Sequence, residues 1–159
     1  MKQYARISSL LFLVAFVALG IYLKFSGGLL SAPASAIQIG KVENCAPANN
    51  VCVIEFNGKS IGFHLPNDAA YLKDFPVEVH LHGFAEQQIK SAQLDFIMPG
   101  MNMGLNRIRL QERNFQLWSG TGKLAVCLSR RTDWLAKVML NIDNNIYQAE
   151  FLFKVDINN

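Results

Sequence analysis

The sequence predicts an all-β fold: an antiparallel β-sandwich of about seven to nine strands behind one N-terminal transmembrane helix. Three observations predict it. From residue 50 onward, short apolar–polar alternations with period two are separated by turn residues. Beyond the N-terminal run, no stretch sustains a helical period. Residues 7–23, ISSLLFLVAFVALGIYL, are 17 positions without a charge.

As a helix that run spans roughly 25 Å, slightly short of a hydrocarbon core of about 30 Å. Arg6 and Lys24 flank it and can snorkel toward headgroups. Tyr4, Tyr22 and Phe25 sit where interfacial aromatics are favoured. Lys2 and Arg6 precede the run, which keeps the N-terminus in the cytoplasm and exports the rest. The expected organisation is a cytoplasmic N-terminus (1–6), an anchor (7–25), a linker (26–40) and a periplasmic sandwich (41–159). Ala34-Ser35-Ala36 has the small-x-small form of a signal-peptidase site. It lies far beyond the apolar run, so an uncleaved, single-pass anchor in a bacterial inner membrane is the preferred reading.

VCVIEF (51–56) and SIGFHL (60–65) flank Asn57-Gly58, a hairpin turn signal. FPVEVHLHG (75–83) puts Val77, Val79 and Leu81 on one face, and Glu78, His80 and His82 on the other. In QIKSAQLDFIM (88–98), Ala92, Leu94 and Phe96 oppose Gln93 and Asp95. Further strands are expected over 106–111, 113–118, 123–129, 134–142 and 147–155, with a turn at Asp143-Asn144-Asn145. AAYLKDF (69–75) fits a single helical turn.

The net charge of +3 belongs to the N-terminal segment: removing Lys2, Arg6 and Lys24 leaves 12 basic and 12 acidic residues. A balanced body has no basic stripe for a phosphate backbone, so no nucleic-acid partner is expected. HExxH, GxSxG and CxxC are absent, and GTGK (120–123) lacks the rest of a phosphate loop. No enzymatic activity is expected.

Export implies an oxidising compartment. Cys45 and Cys52 bracket the short loop CAPANNVC, where a local disulfide is favoured, although three pairings are possible. Cys127 is then a free thiol, or simply a small buried hydrophobe.

Met98, Met101 and Met103 fall within FIMPGMNMG (96–104). Pro99-Gly100 fits the centre of a type II turn, and Gly104 permits a conformation that other residues resist. Thioethers are soft, neutral ligands that suit Cu(I). His80 and His82 share a strand face and are further candidate ligands, with His64 a third histidine. The competing reading is packing: methionines fill irregular gaps at the end of a sandwich, and paired strand histidines are commonly solvated. Arg107 and Arg109 share a face and could pair with a partner in either case.

The stretch IMPGMNMGLNRIRL (97–110), with LAVCLSRRTDW (124–134) as a weaker echo, resembles the YtkA-like (FixH-like) domain family of small membrane-anchored periplasmic proteins. The resemblance covers roughly residues 75–155. It implies an immunoglobulin-like sandwich and a role in copper handling and respiratory-oxidase assembly. Carried over, it points to Met98, Met101 and Met103 as Cu(I) ligands. A respiratory oxidase subunit or a copper donor would be the partner. The resulting expectation is a membrane-anchored periplasmic Cu(I)-binding accessory or oxidase assembly factor. The alternative is a metal-free interaction domain that stabilises a membrane complex.

Overall fold

The computed structural model describes residues 12–22, 36–86, 88–101, 104, 106–126 and 131–155. The chain divides into two compact units, residues 1–34 and 35–159. In the first, residues 12–22 form an α-helix with every side chain exposed, Phe12, Phe16 and Ile21 among them. Among the described residues, no helix is long and apolar enough to cross a membrane. The rest of the expected anchor, 7–25, lies outside the described residues.

The second unit is all-β. Its strands are β1 (Ile37–Cys45), β2 (Cys52–Phe56), β3 (Lys59–His64), β4 (Asp74–His82), β5 (Ile89–Ile97), β6 (Arg107–Asn114), β7 (Leu117–Lys123), β8 (Asp133–Ile142) and β9 (Asn145–Lys154). They form one nearly closed sheet in the order β1-β9-β8-β5-β6-β7-β4-β3-β2. β6 is the corner. Its first half pairs with β5 and its second half with β7. The sheet therefore folds into two layers, as in a sandwich or barrel.

Period-two alternation makes the core. Val77, Val79 and Leu81 of β4, Leu94 and Phe96 of β5, and Trp134, Val138 and Leu140 of β8 are all buried. Phe63 lies between the layers, with ring centroids 5.4 Å from Phe151, 5.8 Å from Phe153 and 6.4 Å from Phe96. Such pairs add about 0.5–1.5 kcal/mol each beyond buried area. Asn57 and Gly58 both have positive φ (48° and 71°), the two-residue turn that matches strand twist. Asp143 and Asn144 do the same without glycine.

Several elements differ from the sequence reading. β1 begins at Ile37, inside the stretch read as linker, and pairs with β9 in parallel. Its weak alternation and two register shifts explain why pattern alone does not find it. The strand expected at 113–118 is split: Arg113 and Asn114 end β6, the turn falls at residues 115–116, and Leu117 and Trp118 open β7. There the Asn114 side chain accepts the Gln116 N–H (2.9 Å). Residues 69–75 are not helical: Tyr71 bridges Leu124 in parallel and β4 starts at Asp74. β7 ends at Lys123, so no strand runs through 124–126. Residues 127–130 lie outside the described residues.

Candidate functional site

The methionine segment leaves β5 on its inward face. Met98 continues the register of Leu94 and Phe96, and it is 1% exposed within the hydrophobic core. Its carbonyl accepts the Met101 N–H (3.1 Å) across Pro99-Gly100, with Gly100 at φ 77° as a type II turn requires. Met101 is partly buried and packs against the core from the turn. Met103 lies outside the described residues. The segment's exit is fixed by Asn106. Its carbonyl accepts the Phe96 N–H (3.1 Å), and its Nδ2 donates to the Lys123 carbonyl (2.8 Å).

Around this end, Arg131 and Asp133 form a two-point ion pair, with Nε donating to Oδ1 at 2.8 Å. The guanidinium holds the Asp133 carboxyl below the ordinary carboxylate range. It also lies over the turn: a side chain at Gly100 would meet Arg131 Nη1 at 3.6 Å. Tyr71 is a second brace. Its hydroxyl accepts from Trp134 Nε1 (3.2 Å) and faces the carbonyls of Val155 (3.2 Å) and Arg131 (3.3 Å).

The histidines stand elsewhere. His80 and His82 lie toward the end of β4 that feeds β5, whereas Met98 follows the far end of β5. β5 has eight residue steps, about 26 Å of strand, so the two sets occupy opposite ends. His80 and His64 point away from the core and flank Glu78, at 3.3 Å and 3.6 Å from Oε2. Each is an ion pair only when the imidazole is protonated. Among the described residues, no group of three or more His, Cys, Asp or Glu is placed to hold a metal ion.

Cys45 and Cys52 are disulfide-bonded, with Cα atoms 5.9 Å apart. Cys127 lies outside the described residues. Asp95, placed by alternation on the face opposite Ala92, Leu94 and Phe96, is 4% exposed. Arg107, directly opposite on β6, donates to it through Nε (3.0 Å) and Nη2 (2.8 Å). The carboxylate raises the Arg107 pKa above its ordinary value. Nothing in the local sequence marks this pair, because its register depends on the β5–β6 loop. Tyr71 and Asn106 are likewise invisible in sequence, since their partners are distant in the chain.

No protein-family model matches the chain, and no curated protein matches it. Among solved structures, it is similar to the crystal structure of a DUF4785 family protein from Legionella pneumophila, at 13% identity and a TM-score of 0.48. The match covers 64% of this chain and 29% of that one, so this chain spans under a third of that protein's length. At that score the likeness carries no functional argument.

Proposed function

We propose that this chain is a non-enzymatic, metal-free interaction domain. It would be an immunoglobulin-like β-sandwich in the bacterial periplasm, held by a single-pass inner-membrane anchor, that stabilises a membrane complex. One observation carries the reading: the candidate ligands Met98, His80 and His82 are dispersed. Met98 is core, and His80 and His82 stand on an outer face at the opposite end. Donors to one ion must converge within bonding distance, roughly 2.0–2.3 Å for soft and imidazole ligands. Met98 and the histidines do not fit such a set. The uncharged run 7–23 and the exposed apolar helix at 12–22 support the anchor.

A second reading is favoured by the position of Met101 on a braced turn and by the resemblance of residues 97–110 to YtkA-like domains. In it, Met101 and Met103 bind Cu(I) and hand it to a respiratory oxidase subunit, or receive it from a copper donor. Thioether ligands exchange without proton loss, which suits transfer.

Cu(I) titration of the full chain against a competing chelator, under reductant, separates the two. The Met101→Leu/Met103→Leu double variant is titrated alongside. The metal-free reading expects no tight binding in either protein, and a stability change under about 1.5 kcal/mol for each near-isosteric swap. Tight one-to-one binding lost in the double variant overturns it in favour of the copper reading. Binding that survives in the variant assigns the metal to the thiols freed by the reductant.

A further inference from the structure

The nine-stranded sheet ends at β1 and β2, and among the described residues no hydrogen-bonded ladder joins these two edges. Contacts across the seam include the ring pair of Phe56 on β2 with Tyr147 on β9, centroids 6.0 Å apart, and two between the edge strands themselves. Toward the middle, the Ile54 side chain packs over Gly40, where a Cβ would lie 2.7 Å from Ile54 Cγ2. At the end that carries the methionine turn, the Cys45–Cys52 disulfide holds the edges with Cα atoms 5.9 Å apart. Nearby, the Leu65 N–H donates to the Pro47 carbonyl (3.0 Å), which ties the intervening loop to the end of β3.

On its other side β1 pairs with β9, from Ile37 opposite Tyr147 to Cys45 opposite Phe153. Its parallel pairing with β9 is interrupted between Gln38 and Gly40, and again between Val42 and Cys45. Asn44 has φ 60°, a left-handed conformation next to the cysteine. Cys45 itself is paired with Phe153 of β9, so the disulfide grips β1 just past the second break in its ladder. Hydrogen-bonded strands lie about 4.8 Å apart, so an inserted strand needs about 9.6 Å between its neighbours. The oxidised seam is too narrow for that.

We infer that the Cys45–Cys52 disulfide is a redox latch on this seam. A dithiol reductant attacks one sulfur, the Cys45–Cys52 bond breaks, and a mixed disulfide forms. The second thiol of the reductant resolves it. The reductant leaves as a disulfide, and Cys45 and Cys52 remain as two thiols. The Cys45 end of β1 and the Cys52 end of β2 then separate. Two strand edges open beside the methionine turn while the other strands keep their ladders. The inference is independent of whether that turn binds copper.

The test is hydrogen–deuterium exchange on the full chain in mild detergent, in a Cys127→Ser background so that only this bond responds. Exchange over residues 37–45 and 52–56 is compared with that over 89–97 and 133–142, before and after dithiothreitol. The latch expects roughly tenfold faster exchange in the first two segments and no change in the last two. A Cys45→Ser/Cys52→Ser variant should show the same pattern without reductant. Unchanged exchange at β1 and β2 in either protein overturns the inference, because the non-covalent contacts then suffice. Equal acceleration in all four segments also overturns it, because the bond is then a global staple.

Discussion

The two outer faces of the sheet handle polarity in opposite ways. On the β1-β9-β8-β5-β6 face, Arg107, Asp95, Lys137, Glu150 and Lys41 stand directly opposite one another, strand to strand, with alternating sign. The row includes the Arg107–Asp95 pair (2.8 Å) and the Lys137–Glu150 pair (3.6 Å). The next row sets Gln148 against Gln38 through a 2.6 Å hydrogen bond. On the β2-β3-β4-β7 face, the matching row is Val53, Gly62, His80 and Leu117. Val53 and the nearby Val51 are exposed. All three histidines of the chain are on this face. The first face satisfies its own charges and leaves little for a partner to complete. The second leaves apolar surface and weakly committed imidazoles, so it is where an interaction domain would gain most from contact.

This contrast is testable from its strongest element downward. Asp95→Asn removes the one buried charge of the row and should cost about 2 kcal/mol in urea denaturation. Glu150→Gln breaks a partly buried pair and should cost about 1 kcal/mol. On the other face, Glu78→Gln should cost under about 0.5 kcal/mol, since its pairs are solvated. Val53→Lys should stay within about 0.5 kcal/mol, unless that face is occupied by a partner. A large loss from Glu78→Gln, or none from Asp95→Asn, would erase the distinction.

The smallest effect concerns pH. Arg131 lowers the folded-state pKa of Asp133. Their pair therefore contributes stability above the ordinary aspartate range near pH 4, and loses it as pH falls below that range. Both side chains are partly exposed, so the contribution is well under about 1 kcal/mol. Stability, measured by urea denaturation, should decline less steeply between pH 5 and 2 in Arg131→Gln than in the parent.

Clean alternation made β4, β5, β8 and β9 legible, because their inward faces are almost uniformly apolar. The Asn57-Gly58 and Pro99-Gly100 turns were legible for the same kind of reason: few residues tolerate positive φ. β1 was not legible. It is an edge strand with bulges, and its partner lies about 110 positions away in sequence, as the Gln148–Gln38 hydrogen bond measures. The methionine cluster was visible as a cluster, but not its division. Spacing puts three thioethers close together. Only the register of β5 turns Met98 inward, leaving Met101 on the turn.

The sequence by itself therefore determined the all-β class, most strand positions, the tight turns and the uncharged N-terminal run. Each is encoded in residues a few positions apart, through side-chain alternation and backbone sterics. The tertiary structure alone decided which edges meet, which charges pair across strands, and that His80 and His82 stand at the opposite end from Met98. Those facts depend on register between distant strands, which local pattern does not specify.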